Sequence, residues 1–186
     1  MSLLDLCDNS KTDKNTTHSY LELYEKLLNN KKYNAKNVLE IGVKEGGSIK
    51  LWHDYFENAN IYGLDIIPIK YMWDEITNKE RIKLGCFDAY NDSFFNEYFL
   101  NKIKFDFVLD DGPHTLESMI QFIKLYSSVL TDDGILIIED VQSIDWIEIL
   151  KNEVPEDLIK FIEFYDLRNI KNRYDDIVFV INKTKK

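Results

Sequence analysis

Short apolar runs alternating with amphipathic stretches predict an α/β protein on a doubly wound, mostly parallel sheet. Seven runs have strand character: 38–41, 61–64, 81–86, 105–109, 134–138, 159–165 and 176–181. Helical spacing fills the gaps between the first five. The last two are joined only by a basic, Asn-bearing loop, which leaves no room for a crossover helix, so the final strand is expected to be antiparallel. The third observation is the turn after the first strand. There Gly42, Gly46 and Gly47 break the apolar pattern just before a helix.

Taken in order, residues 1–18 are polar and read as an irregular, frayed arm. From Ser19, the residues Leu21, Leu23, Tyr24, Leu27 and Leu28 fall at helical spacing, and the polar run 29–32 ends that helix. Val38, Leu39 and Ile41 form a strand buried on both faces. Ser48 opens a helix whose stripe is Ile49, Trp52 and Phe56; His53 within it reads as structural. The next strand ends in Asp65. Beyond Pro68, residues 71–77 read as a short helix, 81–86 as a strand with Phe87-Asp88-Ala89 as its exit, and 93–100 as an amphipathic, aromatic helix. The fourth strand runs into Asp110-Asp111-Gly112-Pro113-His114. Residues 115–130 are helical, 134–138 form a strand closed by Glu139 and Asp140, and 144–150 are a helix. Lys183 to Lys186 reads as a solvated tail.

A length of 186 residues suits a single domain, 1–186, with 1–30 as an arm and helix that help close the site. A net charge of −10 gives no general attraction to nucleic acid or to an anionic membrane, so neither is an expected partner. Cys7 and Cys86 stand far apart in no metal-like spacing. No signal-peptide pattern is present, and no apolar run approaches the roughly 18 residues of a membrane span. The expected location is the cytoplasm.

A strand, a glycine turn, a helix and an acid at the tip of the next strand make a nucleoside grip in an open parallel sheet. A dinucleotide would need a second glycine close to its pyrophosphate, and Lys44 stands there instead. S-adenosylmethionine carries no phosphate. Glu40 is placed to bond its amino group, directly or through water, and Asp65 to accept both ribose hydroxyls. Gly42, Gly46 and Ser48 shape the turn, Asp88 is a candidate adenine-site residue, and Asp110 either contacts cofactor or holds its own turn. The pattern E-x-G-x-x-x-G-G-S with a downstream acid resembles motifs I and II of class I methyltransferases. That resemblance implies a Rossmann-like sheet of seven strands in the order 3-2-1-4-5-7-6.

Ligands of such sheets sit beyond the carboxyl ends of the strands. Asp111 and His114 fall there after the fourth strand, Glu139 and Asp140 after the fifth. Three carboxylates in one cleft repel and call for a cation, and all-oxygen ligation suits Mg²⁺. Such an ion acidifies a bound hydroxyl, whose proton His114 could take. D-D-G-x-H followed by I-E-D-V resembles the metal-dependent sugar O-methyltransferases of the macrocin and mycinamicin type and their cephalosporin-hydroxylase-like relatives. The amino-terminal T-D-K-N-T-T-H-S-Y is similar to a T-D-K-G-x-x-H-x-Y segment of the same group. The resemblance implies metal at Asp111, Glu139 and Asp140, and a base at His114, with Asp111 the competing base. Pro113 departs from the group's usual Ser and Asn15 from its Gly, a turn that Asn supports through a left-handed backbone.

The expected acceptor is therefore a glycan, nucleotide-sugar or other small molecule, with S-adenosylmethionine and Mg²⁺ as cofactors. Lys14, His18 and Tyr20 are weaker substrate candidates, and Trp146 with Tyr20 a candidate wall of the acceptor pocket. No long lid is evident, so residues 1–20, the loop after Asp140 or a second subunit of a homo-oligomer must complete that pocket. Two alternatives stay open: a catechol-like small-molecule methyltransferase, and an inactive cofactor-binding partner subunit.

Overall fold

Strand periodicity decides which side chains meet on each side of the sheet. The computed structural model describes residues 1–185. In β1 (Asn37–Ile41), Val38 points into one apolar layer while Leu39 and Ile41 point into the other. β1 pairs in parallel with β2 (Asn60–Asp65) and β4 (Phe105–Asp110), Val38 lying beside both Ile61 and Phe107. β3 (Ile82–Cys86) extends the sheet past β2, and β5 (Leu130–Ile138) extends it past β4. β7 (Ile177–Asn182) runs antiparallel between β5 and the edge strand β6 (Ile162–Asp166). The order is β3-β2-β1-β4-β5-β7-β6, as expected.

Helices cover both faces. α2 (Leu21–Leu28) and α3 (Gly47–Tyr55) bury Tyr24, Leu28, Ile49 and Trp52 on the first face. α5 (Asp92–Tyr98), α6 (Leu116–Tyr126) and α7 (Trp146–Asn152) bury Phe95, Phe122 and Ile147 on the second. Asn91 caps α5 through Phe94 N at 3.0 Å, and Thr115 caps α6 through Ser118 N at 3.2 Å. His53 pairs with its neighbour Asp54 on α3 at 2.8 Å, a half-buried contact.

The arm departs most from expectation. Residues 3–6 form a helical turn, α1 (Leu3–Leu6), closed by a reciprocal Ser2–Asp5 capping box and anchored by a fully buried Leu3. The Lys171 ammonium then gathers the carbonyls of Asn15, Thr16 (3.3 Å) and His18 (2.6 Å). The arm is not frayed; Lys171 reaches it from more than 150 residues away in sequence, where a local reading cannot see it. Asn15 does not take the left-handed backbone expected of it.

Other boundaries shift as well: β5 begins at Leu130 and not at 134, and the 115–130 helix ends at Tyr126, followed by a 3₁₀ turn at Ser127–Val129. The 71–77 helix divides into a 3₁₀ turn at Ile69–Tyr71 and α4 (Asp74–Thr77). A 3₁₀ turn at Glu156–Phe161 delays β6 to Ile162. The loop before β7 contains α8 (Arg168–Lys171), ended by Asn172 at φ 57°. Lys183 donates to Thr131 O at 2.7 Å and Lys185 pairs with Glu163 at 2.8 Å, so both are tied down; Lys186 of the expected tail lies outside the described residues.

Arg81 closes the carboxyl end of α3. Its guanidinium donates to Phe56 O (3.0 Å), Ala59 O (2.5 Å) and His53 O (2.9 Å). Arg81→Ala leaves these carbonyls without their donor and is expected to cost about 1–3 kcal/mol, read as a lower urea midpoint.

Candidate functional site

The first turn after β1 is folded by contact and not by sequence preference alone. Gly42 (φ 88°) lies so close to the exit of β4 that a Cβ would stand 1.9 Å from Asp111 O. Lys44 also takes a left-handed φ of 53°, and the Asp65 carboxylate holds the turn by accepting from Val43 N and Lys44 N, both at 2.7 Å. Its other oxygen accepts from Ile67 N at 2.9 Å. Beyond this turn opens a cavity of about 790 Å³ at the carboxyl ends of the strands. Gly42, Ser48, Asp65, Asp88, Asp111, His114 and Asp140 line it, and the arm segment Asn9–Asp13 faces them.

Other expected residues stand behind the wall. Glu40 is fully buried, accepting from Ser48 Oγ and Trp52 Nε1, each at 2.6 Å. Burial pushes its carboxyl up to about 7, against the pull of Lys14. Gly46 (φ 94°) faces Ile76, so it shapes the turn without lining the cavity. Asp110 is buried too, accepting from the Tyr90 hydroxyl and from Gly112 N (3.2 Å), and burial pushes it up to about 7. It holds its own turn. Asp88, by contrast, is exposed on the cavity rim and accepts from Tyr90 N at 3.0 Å.

The carboxylates after β4 and β5 separate into two sets. Asp111 Oδ1 and Asp140 Oδ2 lie 3.7 and 3.5 Å from His114 Nε2. These three side chains offer ligand atoms within 4.8 Å of one another, a spacing that suits a divalent ion. His114 and Asp140 each take a φ of 55°, an unusual backbone shared by two residues that face each other. Glu139 does not join them. It is buried away from the cavity, bonded to the Lys14 ammonium and to the Tyr24 hydroxyl. Burial and the Asp111 charge push its carboxyl well up. In the expected ligand set of Asp111, Glu139 and Asp140, Glu139 would serve with the acceptor capacity that Lys14 and Tyr24 leave.

Lys14, His18 and Tyr20 do not line the cavity either. Lys14 is 1% exposed and touches Asp111 Oδ2 (2.7 Å), Glu139 and, at 3.8 Å, Glu40. Burial would lower its pKa, but the three carboxylates hold it well above the ordinary lysine value. The Tyr20 hydroxyl donates to Asp140, and His18 Nδ1 sits 2.7 Å from Asp176 Oδ1. Burial and neighbouring acids push the Tyr20 and Tyr24 phenols up, so both stay donors. Trp146 packs against the second apolar layer. Tyr24, Tyr90 and Asp176 were not expected at the site. Tyr20 and Tyr24 are four residues apart, a spacing that puts them on one side of α2, and this was the available signal for Tyr24.

No protein-family model matches the chain. Among characterised proteins it is 29% identical over 137 residues to the mycinamicin VI 2''-O-methyltransferase of Micromonospora griseorubida, covering 69% of this chain and 33% of that protein. It is 28% identical over 131 residues to a tetracenomycin-C 3'-O-methyltransferase of Streptomyces olivaceus that acts on the 8-demethyl-8-(2-methoxy-α-L-rhamnosyl) form, covering 67% of this chain and 32% of that protein. The chain thus spans about a third of the length of these relatives. Among solved structures, the MycE methyltransferase of mycinamycin biosynthesis, in complex with Mg and SAH, superposes on 100% of this chain and 56% of that one, at TM-score 0.76 and 20% identity. This is the class I methyltransferase fold. A putative caffeoyl-CoA O-methyltransferase from Staphylococcus aureus shares it at TM-score 0.60 and 18% identity, over 89% of this chain and 83% of that one. Within the class I methyltransferase fold, the cavity described above occupies the ligand-binding end of the sheet.

Lys14→Met leaves Glu40, Asp111 and Glu139 facing one another without their cation. The expected cost is roughly 3–5 kcal/mol at neutral pH, measured by urea unfolding. Glu40 already has a raised pKa through burial, and losing the ammonium raises it further. A carboxyl whose folded pKa exceeds its unfolded one weakens the fold as pH climbs through the folded value. The penalty should therefore be smaller at about pH 5.5 than at about pH 8. A penalty that grows on acidification would contradict this arrangement.

Proposed function

We propose that this chain carries an S-adenosylmethionine-dependent O-methyltransferase activity toward a sugar hydroxyl, assisted by Mg²⁺. The observation that carries the reading is convergence: Asp111, His114 and Asp140 line the same cavity as Gly42, Ser48 and Asp65. The named relatives support it, since one is an O-methyltransferase of a rhamnosyl-tetracenomycin C and another of mycinamicin VI, and the MycE structure holds Mg and SAH.

In this reading the turn 42–48 and the tip of β2 bind the cofactor. Ser48 and the buried Glu40 behind it receive the amino-acid end, Asp65 the ribose, and the Asp88 rim the adenine. Asp65 would serve the ribose with the acceptor capacity its three backbone donors leave. Bound S-adenosylmethionine supplies the methyl group, and a divalent ion between Asp111 and Asp140 would lower the pKa of the acceptor hydroxyl. The chain's own part is to hold acceptor oxygen and donor in line, which contributes through positioning. His114 Nε2 takes the hydroxyl proton. Asp111 is the weaker base candidate because Lys14 already engages one of its oxygens at 2.7 Å. The segment 9–13 and the loop after Asp140 would flank the acceptor.

Calorimetric titration of EDTA-stripped protein with S-adenosylhomocysteine, then with Mg²⁺, tests both assignments. Binding of both is expected, and a folded protein that ignores S-adenosylhomocysteine would sink the reading. Against a panel of glycosides and nucleotide-sugars, His114→Ala should lower kcat about 10²–10⁴-fold and leave S-adenosylhomocysteine affinity unchanged. A small loss in kcat with a large loss of cofactor affinity would remove His114 from the proton-transfer role.

A further inference from the structure

Asp111 and Asp140 each present one oxygen to His114 and have the other gripped from behind. On Asp111, Oδ2 takes the Lys14 ammonium at 2.7 Å while Oδ1 faces His114 Nε2 at 3.7 Å. On Asp140, Oδ1 takes the Tyr20 hydroxyl and lies 3.2 Å from His18 Nδ1, while Oδ2 faces His114 Nε2 at 3.5 Å. All the rear donors come from the segment 14–20, and none of them lines the cavity. The donors are themselves fixed. His18 Nδ1 is bonded to Asp176 Oδ1 at 2.7 Å, and the His18 ring stacks on Tyr20 with centroids 4.9 Å apart and planes at 16°. Lys14 is held by Glu139 on its other side.

Ca²⁺ takes six to eight oxygens at about 2.3–2.6 Å and readily accepts both oxygens of a carboxylate. Mg²⁺ demands about 2.0–2.1 Å octahedral geometry and takes single carboxylate oxygens together with water. A carboxylate whose rear oxygen is tied to a buried donor cannot swing to offer both without breaking that bond. We propose that Lys14, His18 and Tyr20 set the ion selectivity of this site, favouring Mg²⁺ over Ca²⁺ by confining Asp111 and Asp140 to one oxygen each. The inference rests on the metal reading given under Proposed function and deepens it. The three residues are positioning residues: they touch neither ion nor acceptor, and they fix the groups that do.

Tyr20→Phe removes the hydroxyl that Asp140 accepts from while keeping the ring and its stacking, and His18→Gln removes the ring that stacks on Tyr20 and lies beside Asp140 Oδ1. The full chain, stripped with EDTA and saturated with S-adenosylhomocysteine, is titrated calorimetrically with Mg²⁺ and, separately, with Ca²⁺. The wild type is expected to bind Mg²⁺ more tightly than Ca²⁺. Each variant should lose about 10-fold or more in Mg²⁺ affinity, with Ca²⁺ affinity held or improved, so that the ratio narrows. Affinity for S-adenosylhomocysteine should not change, which shows the variants to be folded. Variants with the wild-type ratio overturn the inference and leave the metal reading intact, as does a wild type that prefers Ca²⁺. A wild type that takes up neither ion overturns the metal reading, and this inference falls with it.

Discussion

The Lys14 ammonium, 1% exposed, answers carboxylates from three strand ends: Glu40 at β1, Asp111 after β4 and Glu139 after β5. Buried in a low-dielectric interior, Lys14, Glu40 and Glu139 are not tolerable alone. Together they force the arm across the carboxyl edge of the sheet, which makes residues 9–13 a wall of the cavity instead of a loose terminus. The strand order matters here, because β1, β4 and β5 are neighbours and bring their acids within reach of one cation. The right-handed crossings of the doubly wound sheet therefore do more than bury apolar surface. They gather negative charge at one end, and the arm neutralises it.

Aromatic contacts reinforce the same seam. His18, Tyr20, Tyr24 and Trp52 form a row of ring contacts that runs behind the cavity wall into the first apolar layer. Each ring carries a polar tip that finds an acid: Asp176, Asp140, Glu139 and Glu40 in turn. Aromatic bodies supply packing while their donors satisfy buried carboxylates, so polar groups here do not interrupt the core.

The sheet was legible in sequence because its signal is periodic and local. Runs such as Phe105–Asp110 are apolar on both faces, and Gly42 and Gly46 mark the turn by residue type alone. The antiparallel β7 followed from counting residues between two strands. The arm was opaque for the opposite reason: the composition of Asp8 to Ser19 is that of a solvated coil, and nothing near Lys14 in sequence reveals Asp111 or Glu139. Motif similarity drew attention to Lys14, His18 and Tyr20 without saying which way they point. Glu139 illustrates the limit of spacing arguments. Glu139 and Asp140 lie past the end of β5 and Asp140 turns to a φ of 55°, so strand alternation does not decide that Asp140 reaches the cavity while Glu139 goes behind it.

The arm also bears on how the protein comes to be folded. Lys14 is synthesised before these partners: the carboxylates it bonds on Asp111 and Glu139 lie 97 and 125 residues downstream, and the Asp176 that holds His18 lies 158 residues beyond it. Contacts that span so much chain carry a high loop-closure cost and form late. A nascent chain can pair β2 with β1 and β3 while residues 14–20 still wait, because the last contact of the seam does not exist until Asp176, just before β7, has been made. Assembly of the cavity thus reports on completion of the sheet. A chain cut short after β6 would retain the glycine turn, yet its arm would have no Asp176 to dock against.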